Sequence, residues 1–107
     1  MTTNITPVQF SRLVEIATEA GLETEVKQSG WLKIKAKKGE GRVYLPVNKT
    51  GRVTRVDIAA IKLEGSDLVV PPRKPNGKVY HELKQVDLTE SQILENFQLL
   101  CMMLAAD

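Results

Sequence analysis

The stretch WLKIKAKKGEGRVYLPV, residues 31–47, carries the reading that decides the fold. Its first half alternates, so Trp31, Lys33, Lys35 and Lys37 fall on one side of an extended run and Leu32, Ile34 and Ala36 on the other. Its second half alternates too, with Arg42 and Tyr44 set against Val43, Leu45 and Val47. The KGEG between them is turn chemistry, and the whole reads as two strands of an antiparallel sheet with one apolar and one basic, aromatic face.

Outward from this hairpin the same period persists. LETEVKQ precedes it and is broken at Ser29-Gly30; RVTRVDIAAIKL follows it after NKTG. Gly30, Gly41 and Gly51 are the candidates for positive-φ turn positions. Pro46 lacks an amide donor and predicts an edge position or a bulge. Leu68, Val69 and Val70 suit a short strand, and KVYHELKQV predicts another, with Val79, His81 and Leu83 on one side and Tyr80, Glu82 and Lys84 on the other. Three prolines in PPRKP, followed by Asn76-Gly77, predict a stiff loop over 71–77.

Helices bracket the strands. Thr6, Pro7 and Gln9 spell a capping box, Ile5 and Phe10 its hydrophobic staple, and the spacing predicts a helix over about 7–20 that stops at Gly21. Thr89 and Gln92 repeat the box before a helix over about 90–105, with Leu88 and Ile93 as the staple. Its core-like face is Ile93, Phe97, Leu100, Cys101 and Leu104. Leu94, Leu99, Met102 and Met103 widen the apolar band beyond what a one-sided helix needs. Leu99, Met102 and Met103 are therefore the candidate interface of a homodimer. The expected architecture is α+β: a single domain over 1–107, an antiparallel meander of about five strands, and both helices on one face of it.

Composition is that of an ordinary globular domain, 42% hydrophobic and 26% charged, so a packed core is expected rather than disorder. The start, MTTNITPVQF, has no cationic segment before an apolar run, and no stretch is apolar enough to span a bilayer. With one cysteine and no metal-ligand cluster, a reducing, cytoplasmic setting is expected. No nucleotide, metal or hydrolase motif occurs, and no cofactor is expected. His81 and Cys101 are a poor catalytic pair, since each lies in an apolar pattern.

Charge is the positive signal. Residues 27–55 hold nine Lys or Arg against Glu40 alone, a local +8. Residues 1–26 carry one base against four acids, and 56–107 five bases against eight. A basic middle between acidic ends draws an anionic partner, or is neutralised by acidic helices lying beside it. Trp31, Lys33, Lys35, Lys37, Arg42, Tyr44 and Arg55 form the candidate polyanion site, because rings for stacking beside cations for phosphates are what single-stranded nucleic acid requires. An acidic protein is the competing partner, and a solvated sheet face the bland alternative. Arg73, Lys74 and Lys78 make a second basic group on the proline loop.

The order helix, strands, helix is similar in outline to the double-stranded RNA-binding domain. That family begins its second helix with lysines, where this chain reads DLTESQILE, so the order implies no function here.

Overall fold

The computed structural model describes residues 5–27, 30–46, 51–59, 68–73 and 80–106. In chain order these form β1 (Val8–Gln9), α1 (Phe10–Glu19), β2 (Glu23–Val26), β3 (Trp31–Lys35), β4 (Arg42–Pro46), β5 (Arg52–Val53), β6 (Asp57–Ala59), β7 (Val69–Arg73), β8 (Tyr80–Leu83) and α2 (Glu90–Ala106). The expected α+β architecture is present. Six strands make one sheet in the order β2-β3-β4-β6-β8-β7, every neighbour antiparallel. The first four run as a meander; β8 then lies inside β7, which takes the edge.

The quoted hairpin supplies the second and third strands of this sheet. Leu32 pairs with Leu45 and Ile34 with Val43, and the second pair extends across the sheet through Ile58 to His81. These residues are buried, and all but His81 join Leu13 and Ala17 of α1 and Ile93, Phe97, Leu100, Cys101 and Leu104 of α2 in one apolar core. Burying one such aliphatic or aromatic side chain contributes about 1.5–3 kcal/mol, and both helices hold their places by this means.

Several boundaries differ from expectation, each for a nonlocal reason. The first helix starts at Phe10, with Gln9 at its N-cap and no side-chain cap. Val8 and Gln9 instead pair with Val53 and Arg52, and the Thr6 hydroxyl donates to the carbonyl of Leu88. The run from Arg52 to Ala59 is not one strand, because β5 pairs with β1 while β6 joins the large sheet. Gly39, rather than Gly41, adopts positive φ in the turn, while the Gly41 carbonyl accepts from the amide of Ala36. Pro46 lies in a central strand, not at an edge. It is the last residue of β4, beyond Tyr44 where pairing to β6 stops, so its missing donor breaks no bond on that side. Pro71 and Pro72, expected in a loop, belong to β7. An edge strand tolerates them, and its register shifts between Val70 and Arg73.

Gln85 clamps the layers from inside. Its buried Nε2 donates to the carbonyls of Thr6, at 3.1 Å, and Val53, at 3.0 Å. The entry to β1, strand β5 and the approach to α2 are thus held by one amide.

Candidate functional site

The face of the sheet turned away from the helices follows from the same register. Glu25, Lys33, Tyr44, Asp57 and Glu82 form one cross-strand row, and Glu23, Lys35, Arg42, Ala59 and Tyr80 the next. Trp31 stands at the end of β3 opposite Pro46. Sequence parity therefore places Trp31, Lys33, Lys35, Arg42 and Tyr44 correctly, and all five are half-buried on the common face.

Tyr80 joins them. Trp31, Tyr44 and Tyr80, with Lys27 and Asp57, line an open cleft of about 380 Å³, at the lower end of the range for small-molecule sites. The tyrosines stand on β4 and β8, two strand spacings or roughly 10 Å apart. Ala59, the residue between Arg42 and Tyr80 in its row, leaves that part of the floor low. Parity puts Tyr80 on the outward side of its strand; what a sequence lacks is the strand order that brings β8 next to β6. Asp57 was hidden for the same reason.

The charges separate across the face. Lys27, Lys33, Lys35 and Arg42 cluster on the β2–β4 half. Desolvation, then the fields of Lys27, Arg42 and Lys35, hold the Lys33 ammonium below its usual range. Glu25 partly compensates, with its carboxylate 3.3 Å from Lys35 Nζ and 3.9 Å from Lys27 Nζ. The hydrogen bond from Lys35, then the charge of Lys27, hold Glu25 below the usual carboxylate range. Arg42 is fixed in direction, its Nη1 donating to the carbonyls of Gly41, at 2.8 Å, and Gly39, at 3.3 Å. A guanidinium has five N–H donors, so others remain for a ligand.

The β6–β8 half is acidic. Arg55 reaches back over it, with Nε 2.9 Å from Asp57 Oδ1 and 3.2 Å from Glu82 Oε1. The Asp57 hydrogen bond raises its already high pKa. Arg55 was expected among the polyanion contacts; its charge is instead met by two carboxylates. Lys37 also leaves the set. It lies beyond the end of β3, its amide donates to the carbonyl of Leu104 at 3.3 Å, and its side-chain end lies against Gly21. Among the described residues, the ion pairs on this face are made by acids on β2, β6 and β8.

The other candidates fall elsewhere. Arg73 is paired in backbone register with Tyr80, while Lys74 and Lys78 lie outside the described residues. Leu99, Met102 and Met103 are 49%, 59% and 42% exposed on the outer side of α2. Cys101 is buried, and burial pushes its thiol up to about 12, so it is protonated at neutral pH. His81 is buried on the helix-facing side of the sheet, and its Nε2 finds no partner among the described residues. Among those residues no cluster of His, Cys, Asp and Glu suits a metal, and no helix is long and apolar enough to cross a membrane.

Comparison of the chain with family models, curated proteins and solved structures finds no match.

Proposed function

We propose that this protein is a non-catalytic, cytoplasmic binding module that takes single-stranded nucleic acid across the open face of its sheet. One observation carries this reading: Trp31, Tyr44 and Tyr80 line a single cleft with Lys27, and Lys33, Lys35 and Arg42 stand on the same face of the adjoining strands β3 and β4. Stacking of a base on an aromatic ring is worth about 1–3 kcal/mol and is available to every base. Phosphates landing on the cation cluster relieve its mutual repulsion and release counterions. An acidic protein would satisfy the cations but would bring no bases to stack on the rings.

Trp31 is the only tryptophan in the chain, so its fluorescence reports the site directly. A single-stranded oligonucleotide should quench it, with an affinity that falls steeply with salt, at a log–log slope of about −0.7 for each phosphate contact. Tyr44→Ala and Tyr80→Ala should each weaken binding by about 5- to 150-fold. Full fluorescence at low salt under excess oligonucleotide overturns the reading, and quenching by polyglutamate in its place points to the acidic protein.

A second reading rests on the exposure of Leu99, Met102 and Met103. An uncharged apolar stripe is complementary to itself, which is what a two-fold contact between copies requires. In this reading the protein is a dimeric adaptor assembled through α2.

A further inference from the structure

Resting on the nucleic-acid reading, we infer that the ligand is a run of about three to four unstacked nucleotides laid diagonally across the strands, rather than a free nucleotide or a duplex. The registers put the rings on that diagonal. Trp31 stands in the row of Pro46, and Tyr44 stands one strand over in the row of Lys33 and Asp57. Tyr80 stands two strands further, in the row of Lys35, Arg42 and Ala59. Each step across the sheet therefore also moves two residues along it. With strands about 4.8 Å apart and a rise of about 3.3 Å per residue, Trp31 and Tyr44 lie about 8 Å apart at Cα, and Tyr44 and Tyr80 about 12 Å.

The diagonal parts the charges. Lys33 and Lys35 of β3 and Arg42 of β4 lie on one side of it, with Lys27 at the Trp31 end, its amide bonded to the Trp31 carbonyl at 2.7 Å. Glu23 and Glu25 stand outside these lysines, on β2. Asp57 of β6 and Glu82 of β8 lie on the other side, where Arg55 reaches both. A ligand that follows the rings is thus anionic along one edge and carries flat groups at intervals along the other. A single strand has this form, and the charges set its placement: phosphates toward β3 and β4, bases over the rings.

The spacing sets the number of bases. Both steps exceed the rise of about 3.4 Å between stacked neighbours, so bases held on successive rings are splayed apart, which a paired and stacked duplex does not allow. The shorter step is spanned by adjacent nucleotides of an extended strand. The longer one passes Ala59, whose small side chain leaves room for one more nucleotide before Tyr80. A free nucleotide covers one ring and forgoes the stacking offered by the other two. The described cations gather at the Trp31 and Tyr44 end, so a dinucleotide settles there, and only a longer strand reaches Tyr80.

A length series of thymidylates, from the mononucleotide to the octamer, tests this path by Trp31 quenching at fixed low salt. Affinity should rise up to the tetramer, and the octamer should exceed it by no more than the about fivefold that extra binding registers supply. Tyr80→Ala should weaken the tetramer by about 5- to 150-fold and leave the dinucleotide within about twofold, whereas Tyr44→Ala should weaken both. Lys33→Ala should make the salt slope of the tetramer shallower by about 0.7, one phosphate contact. Circular dichroism checks that each variant keeps its sheet, and the wild-type series decides independently of the variants. An affinity that stops rising at the mononucleotide or dinucleotide, or that climbs more steeply beyond the tetramer, overturns the diagonal path while leaving the nucleic-acid reading intact. A folded Tyr80→Ala variant that weakens dinucleotide and tetramer alike does the same. Absence of quenching at every length overturns both.

Discussion

Glu25 lies directly across from Lys33 and reaches diagonally to Lys35, so it competes with any incoming phosphate for the same cations. Its carboxyl is held below the usual range by Lys35 and Lys27, which sets the sign of its pH dependence. A depressed carboxyl contributes stability that is fully present above its unfolded value and is lost as pH falls through its lower, folded value. The pair is exposed, so that contribution is small; the larger consequence is for binding. Glu25→Gln should tighten oligonucleotide binding by about two- to fivefold at low salt, with the gain fading as salt rises. In the wild type, acidification through the titration of Glu25 should produce the same tightening. Identical affinities for wild type and variant at low salt would show that the carboxylate does not restrain the cluster. The rule that made this site legible, the two-residue side-chain period, holds only while the chain is a strand. It is right for Trp31, Lys33 and Lys35 and fails at Lys37, because β3 ends at Lys35 and the next residues turn toward α2. His81 shows the same limit from the other side. Alternation with Leu83 places it on the buried face, but that Nε2 finds no partner among the described residues depends on neighbours from other strands and helices.

At the scale of elements, two nearly identical capping boxes have different fates. Before α2, the Thr89 hydroxyl accepts from the Gln92 amide at 3.2 Å and the Gln92 side chain accepts from the Thr89 amide at 2.9 Å, closing the box in both directions. Before α1 no box forms, since Val8 and Gln9 are drawn into pairing with β5 and the Thr6 hydroxyl is engaged with Leu88. A local signal is decisive only where no distant strand competes for the same backbone. Thr89→Ala should therefore cost about 1 kcal/mol. For a chain of this size that is a drop in Tm of roughly 4–8 °C, measurable by thermal unfolding. An unchanged Tm would mean that packing of Ile93, Phe97 and Leu100 alone holds the first turns of α2. Proline behaves similarly: Pro71 and Pro72 forbid a central strand but not an edge one, and which strand is the edge is a property of the assembled sheet.

For the molecule as a whole, the helix layer and the cleft occupy opposite sides of one sheet, which makes the two functional readings separable. Apolar residues surround much of α2, with Ile93, Phe97, Leu100 and Leu104 turned inward and Leu99, Met102 and Met103 left outside. The outer three recur at helical spacing, so they form one continuous stripe rather than scattered exposure. Two copies joined through this stripe would set their sheets back to back, with a cleft facing outward from each. Analytical ultracentrifugation should then show a concentration-dependent dimer, and Met102→Glu or Met103→Glu should shift it to monomer by placing a charge in an apolar contact. Because neither methionine approaches the cleft lining, each variant should keep the affinity of a single site for a short oligonucleotide. On strands long enough to reach both clefts, the dimer should gain through effective concentration, and the glutamate variants should lose that gain alone. A strict monomer at high concentration removes the dimer. A dimer whose disruption also abolishes binding of short oligonucleotides contradicts the separation of faces on which the site is built.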